Sequence, residues 1–222
     1  MRSVPLVLGV LASGRGSNLQ AILDSIEGGR CPARVAVVVS DRKDAPALER
    51  ARRAGAKAVH LDPRAYPDRV AFDEAVADVL DQHAAELVCL AGYMRVLSGE
   101  FVRRFPGRIL NVHPALLPAF PGLHAQRQAL QHGVKVAGAT VHFVDQGVDT
   151  GPIVLQSAVP VLDEDTEETL AARILVEEHR LYPEAIRLYA EGRLRVEGRR
   201  VSGRGEVPGR PGDPGRGGEV AG

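Results

Sequence analysis

Residues 4–26 read VPLVLGVLASGRGSNLQAILDSI, and the succession of strand, glycine loop and helix inside that stretch decides the fold. Val4 to Ala12 is a short apolar run closed by turn residues, the signature of a buried strand. Leu19, Ile22, Leu23 and Ile26 then recur at helical spacing, so Asn18 to Ile26 presents one apolar helix face. A second Val-rich run, Ala33 to Ser40, completes a βαβ opening, whose strands run parallel because the helix returns the chain to its starting end. Arg2 ahead of the apolar run also imitates a secretory leader, but residues 13–26 read as glycine loop and helix rather than cleavage site and mature start.

Downstream the alternation continues. Helices are predicted through Leu48 to Ala54, closed by Gly55, and from about Asp68 to His83. A strand at Leu87 to Ala91, a short helix near Glu100 to Phe105 and a strand at Arg108 to Val112 follow. After Pro118 the rhythm changes: a short helix at Gln126 to Gln131 precedes two longer strand patterns, Ala137 to Val144 and Ile153 to Val161. The loop between them holds Gly147, Asp149, Gly151 and Pro152, so a hairpin-like pair extends the sheet and makes it mixed. From Thr166 to about Glu191 the pattern is helical and amphipathic, with Pro183 inside it. Proline lacks the helix N–H and crowds the preceding turn, so two segments or a kink are predicted there.

The 222 residues suffice for one sizeable core and favour a single domain over residues 1–200. The predicted class is α/β: a Rossmann-like, mostly parallel sheet flanked by helices and mixed in the C-terminal half. Gly203 to Gly222 contains 8 Gly and 3 Pro with almost nothing apolar, the composition of a disordered tail. Lys plus Arg (28) balance Asp plus Glu (28), which gives no reason to expect nucleic acid or a membrane as partner, and any anion site must be local. No apolar run approaches the roughly 20 residues that a membrane span needs. Cys31 and Cys89 stand in no zinc or redox spacing and read as reduced thiols of a cytoplasmic protein.

Ser13-Gly14-Arg15-Gly16-Ser17-Asn18-Leu19 lies where the first strand hands over to the first helix. Free N–H groups and the helix dipole favour an anion there, and glycines 14 and 16 let the main chain approach it closely. A dinucleotide fingerprint would want a third glycine at Leu19, so a terminal phosphate fits better than a pyrophosphate. A plain tight turn capped by Ser17 or Asn18 is the competing reading.

Asn111 and His113 stand two apart at a strand's carboxyl end, facing the same side. Asp149 sits in the glycine-flanked loop between two strands. If it faces His113, its carboxylate raises the imidazole pKa, and imidazolium plus Asn amide make two donors for a developing oxyanion. Such a set suits attack of an external amine on a carbonyl carbon, with Asp149 orienting His113 and assisting proton transfer. Taken singly, His113 reads as a satisfied strand-end histidine and Asp149 as a turn residue. Zinc held by His113, His142 and Asp149 has no supporting spacing, and no metal is predicted.

Together, S-G-R-G-S-N-L at 13–19, A-G-Y-M-R-V-L at 91–97, N-V-H-P-A-L-L-P-A-F-P-G at 111–122 and G-A-T-V-H-F-V-D-Q-G-V-D-T-G-P at 138–152 resemble the folate-dependent phosphoribosylglycinamide formyltransferases, or GAR transformylases, of purine biosynthesis. The resemblance covers about residues 4–195. It implies the formyltransferase fold, with a phosphate-binding half over about 1–105 and a catalytic and folate half over about 106–200. It implies catalysis by Asn111, His113 and Asp149, and acceptor binding by Gly16, Ser17, Asn18 and Glu178. For the co-substrate 10-formyltetrahydrofolate it implies Arg69, Met94, Arg95, Val96, Leu97 and Asn111. The substrates are then glycinamide ribonucleotide (GAR) and the formyl folate, for a monomer or homodimer.

Other 10-formyltetrahydrofolate enzymes share the 111–122 and 138–152 stretches. A methionyl-tRNA formyltransferase would need a further carboxyl-terminal domain, and a formyltetrahydrofolate hydrolase a regulatory domain before the first strand. A non-catalytic nucleotide-binding module would use the glycine loop but leave the Asn, His and Asp set without a role.

Overall fold

β1 (Leu6–Leu11), α1 (Ser17–Glu27) and β2 (Ala33–Ser40) form the βαβ unit that the opening residues specify, in a computed structural model that describes residues 4–203. Apart from Gly203 itself, the predicted tail lies outside the described residues. After β2 come α2 (Pro46–Arg53), β3 (Lys57–His60), a 3-10 turn (Pro63–Ala65), α3 (Arg69–Gln82), β4 (Leu87–Leu90), α4 (Gly99–Arg104) and β5 (Ile109–His113). The chain continues through α5 (Ala125–Gln131), β6 (Val136–Phe143), β7 (Ile153–Pro160), α6 (Glu167–Ala190), β8 (Arg195–Glu197) and β9 (Arg200–Ser202). Among the described residues the strands make one sheet in the order β3-β2-β1-β4-β5-β6-β7-β9-β8. The pairs from β3 to β5 are parallel, whereas β5, β6 and β7 pair antiparallel, so the sheet is mixed in its C-terminal half.

The two-residue period of the strands sorts side chains onto two cores. Leu8 and Val10 of β1, Val38 of β2 and Cys89 of β4 face α1, α2 and α6, against Leu19, Ile22, Ala47, Leu170 and Ile186. Val37 and Val39 of β2 and Val88 and Leu90 of β4 face α3 and α4, against Phe72, Val76, Leu80 and Phe101. Both faces are covered, as a parallel sheet requires. Side-chain caps fix three helix starts: Asp68 Oδ1 accepts the Ala71 N–H at 2.9 Å, Ser98 Oγ accepts the Phe101 N–H at 3.3 Å, and Thr166 and Thr169 cap α6 reciprocally. Each such cap contributes about 1 kcal/mol.

Three strands escape the sequence pattern. β3 is four residues at a sheet edge, with exposed Lys57 and His60 at its ends, too short to show an apolar period. β8 and β9 are three residues each and join the sheet through Ile153 of β7 opposite Arg200, a contact that local sequence does not encode. Pro183 does not divide α6, which is continuous over 24 residues. Leu181, Tyr182, Ala185 and Ile186 around it are buried, and that packing outweighs one lost hydrogen bond. The Tyr182 hydroxyl donates to the carbonyls of Leu110 (2.8 Å) and Leu90 (3.2 Å), pinning α6 to β5 and β4.

Among the described residues no helix is long and apolar enough to cross a membrane. Cys31 and Cys89 are free and buried. Strand order reverses between β1 and β4, and the crevice at the carboxyl ends of those strands is where such sheets receive ligands.

Candidate active site

On one side of that crevice lies the glycine loop. Gly16, the residue before α1, has φ +71, and a Cβ on it would sit 2.8 Å from Ala47 Cα, so only glycine fits. No side chain caps α1 and no acid occupies its first turn, which leaves the N–H groups and the positive helix end uncompensated. Asn18 is buried; its Nδ2 donates to Glu178 Oε2 at 2.7 Å while its Oδ1 has no partner. Burial pushes the Glu178 carboxyl up to about 7, with the Asn18 hydrogen bond pulling the other way. Gly16, Ser17, Asn18 and Glu178 therefore line one cavity of about 770 Å³, together with Arg15 and Arg42.

On the other side the antiparallel register of β5 and β6 puts Asn111 opposite His142. The β6–β7 loop brings Asp149 over both, with Asp149 itself at φ +54. Asp149 Oδ2 accepts the Gly122 N–H at 2.8 Å and lies 3.3 Å from His113 Nδ1. Its Oδ1 lies 3.4 Å from Asn111 Nδ2 and 3.5 Å from His142 Nε2. The His142 Nδ1–H donates to the Phe143 carbonyl at 2.9 Å, so Nε2 is the acceptor for Asn111 Nδ2 at 3.2 Å. The predicted trio thus converges on one carboxylate, and three of its four contacts are long enough to yield to an incoming oxygen.

Two expectations change. His113 is buried, and that burial holds its pKa below the usual histidine value; the Phe120 carbonyl and the Asp149 charge pull it up, His142 pushes it down, and burial prevails. Burial therefore works against the imidazolium that Asp149 favours. His113 Nε2 lies 2.8 Å from the Phe120 carbonyl, which can only accept, so Nε2 carries the hydrogen, and in the neutral ring Nδ1 turns its lone pair towards Asp149. In addition, the donors of Asn111 and His113 rest on protein acceptors rather than on an empty oxyanion position. For Asp149, burial alone would raise the carboxyl, but its contacts with His142, the Gly122 N–H and His113 together set it below the usual carboxylate range.

Met94, Arg95, Val96 and Leu97 line a second cavity of about 500 Å³ with Asn111, His113 and Asp149. Arg95 lays its guanidinium over the Phe72 ring, 4.8 Å from the centroid. Arg69 stands apart: it is exposed in the first turn of α3, outside that lining. Among the described residues no group of three His, Cys, Asp or Glu is disposed to hold a metal ion.

Sequence reasoning missed the part of His142, which it weighed only as a zinc ligand; its link to Asn111 appears once the β5–β6 register is known. It also missed Asp73, which is buried on α3 and accepts the Ser98 N–H at 2.6 Å beneath the 91–97 segment.

The family profile described as formyl transferase matches residues 7–186. Phosphoribosylglycinamide formyltransferase of Escherichia coli strain K12 is 46% identical over 187 residues, covering 84% of this chain and 88% of that protein. The trifunctional purine biosynthetic protein adenosine-3 of Bos taurus is also 46% identical over 187 residues, but the chain spans only 18% of its length. The crystal structure of glycinamide ribonucleotide transformylase 1 from Symbiobacterium toebii superimposes with a TM-score of 0.89 at 66% identity, covering 91% of this chain and 95% of that one.

Proposed function

The chain belongs to the formyl transferase family, and on that premise we propose that it transfers the formyl group of 10-formyltetrahydrofolate to the amine of glycinamide ribonucleotide, releasing tetrahydrofolate, in purine biosynthesis. The observation that carries this reading is a shared wall: Gly92, Met94 and Gln126 line both the phosphate-loop cavity and the cavity of the trio. A ribonucleotide anchored by its phosphate at Gly16, Ser17 and Asn18, with Glu178 beside it, reaches with its amine towards Asn111 and His113. The formyl folate enters along Met94 to Leu97, with Arg69 as the more distant cation towards its acidic tail.

As the amine nitrogen bonds to the formyl carbon, the carbonyl electron pair moves to oxygen, and Asn111 turns a donor from its long contacts to stabilise that charge. The attacking nitrogen must then lose a proton. The lone pair of His113 Nδ1 faces Asp149 Oδ2, so one proton fits between them as an imidazolium–carboxylate pair. Collapse of the tetrahedral carbon breaks its bond to folate nitrogen, which takes up a proton as it leaves. Phe120 and Asp149 fix the ring, and His142 fixes Asn111. The substrates are small molecules, no metal takes part, and buried free thiols suit a cytoplasmic enzyme, monomeric or homodimeric.

The test mixes protein, 10-formyltetrahydrofolate and glycinamide ribonucleotide and follows release of the deformylated folate spectroscopically. Turnover is expected with this acceptor. Turnover with water or charged methionyl-tRNA instead, and none with the ribonucleotide, overturns the reading.

A further inference from the structure

The two cavities are stitched together at one buried serine. Ser13 follows β1 and is 3% exposed. Its N–H donates to the Gly92 carbonyl at 3.0 Å, and its Oγ accepts the Met94 N–H at 2.9 Å. These bonds cross between the ends of β1 and β4, neighbouring parallel strands at the point where strand order reverses. Ser13 and the glycine loop line the phosphate-side cavity, Met94 lines both, and the Arg95–Leu97 run lines only the folate side.

The loop beyond Met94 is sparsely held. Tyr93 Oη and Arg95 Nε are buried without a hydrogen-bond partner, while Met94 and Val96 are 60% and 55% exposed. Asp73 grips its far end through the Ser98 N–H. At its near end the hydroxyl of Ser13 is a side-chain anchor that belongs to the opposite cavity.

We propose that Ser13 is a positioning residue that couples the two substrate sites: phosphate on the 14–18 loop fixes Ser13, Ser13 fixes the Met94 amide, and the folate-lining loop is set for its ligand. This presupposes phosphate in one cavity and folate in the other, as proposed above. Coupling is reciprocal, so each substrate must raise affinity for the other by the same factor. That factor is about 2- to 10-fold, the span of one net hydrogen bond.

The test titrates tetrahydrofolate, which carries no formyl group to transfer, into the full chain by calorimetry, with and without saturating glycinamide ribonucleotide. The wild type is expected to bind tetrahydrofolate several-fold more tightly when the ribonucleotide is present. Ser13→Ala brings the ratio to one while each ligand still binds, and Ser13→Thr, which keeps the hydroxyl, restores most of it. A wild-type ratio of one, or an unchanged ratio in Ser13→Ala, overturns the coupling and leaves the substrate assignment standing. Failure of the wild type to bind either ligand overturns the assignment and the coupling with it. Should Ser13→Ala not fold, hydrogen exchange at the wild-type Met94 amide decides: it slows when the ribonucleotide binds, and an unchanged rate refutes the coupling.

Discussion

The corner around Asp149 and the corner around Asn18 deal with charge in opposite ways. At Asp149 every polar group already has a protein partner: Gly122 N–H, His113, Asn111 and His142 surround one carboxylate. At Asn18 the side-chain oxygen is buried and unpartnered, and the helix start behind it has no cap. A reaction centre gains from groups held in place before charge appears, because no reorganisation is then needed at the transition state. A binding site gains from donors that only the ligand satisfies. Damage at the first corner should therefore appear in kcat and damage at the second in affinity.

The largest expected effect tests that division directly. Asn111→Ala removes the amide that rests between His142 and Asp149, and kcat is expected to fall about 10²- to 10³-fold, the usual loss for one oxyanion donor. The KM for glycinamide ribonucleotide should stay within about 3-fold, since the proposed phosphate site lies at the other corner. Steady-state kinetics with both substrates varied checks this. A comparable rise in KM would mean that the two corners do not divide the work.

Glu178 gives the next effect, because it belongs to the open corner yet is a buried carboxyl. Its folded pKa, pushed up to about 7, lies above its unfolded value, so the stability it contributes is full below the unfolded pKa and is lost as pH rises through about 7. Glu178→Gln has no charge to bury. It should match the wild type in thermal unfolding at pH 5 and be more stable by roughly 2–3 kcal/mol at pH 9. Its affinity for the ribonucleotide at pH 8 should fall about 10-fold, the worth of a hydrogen bond to a charged group. Unfolding curves that stay parallel from pH 5 to 9 would contradict the buried ionisation.

The same contrast explains what the sequence could reveal. The βαβ opening and the α3 limits were legible because strand period, helix period and capping residues are local. So was the placement of Gly16, whose backbone only glycine tolerates. Convergence of Asn111, His113 and Asp149 could be guessed from strand-end and loop positions. The direction of the His113 shift could not: it depends on how deeply the ring is buried, and that burial outweighs both the Phe120 carbonyl seven residues away and the neighbouring Asp149 charge, which favour the imidazolium. His142 was hidden by register, β8 and β9 by their dependence on β7, and the unbroken course of α6 by packing that overrides Pro183.

The smallest effect concerns the 91–97 loop, proposed above to line the folate site, which mixes both styles: Asp73 grips Ser98, yet Asp73 Oδ1, Tyr93 Oη and Arg95 Nε beneath the loop are unpartnered. Burial raises the Asp73 carboxyl, with the Ser98 hydrogen bonds and the charges of Arg95 and Arg69 opposing it. Asp73→Asn keeps an oxygen for the Ser98 N–H and loses only the charge that faces Arg95. It should raise the KM for 10-formyltetrahydrofolate about 3-fold with kcat unchanged, a few tenths to 1 kcal/mol of positioning. Asp73→Ala loses the acceptor too, leaves the Ser98 N–H buried and unpaired, and should lower the melting temperature as well as raise that KM about 10-fold. Equal KM values for the two variants would show that charge, not the hydrogen bond, sets the loop, and would place it with the open corner rather than the closed one.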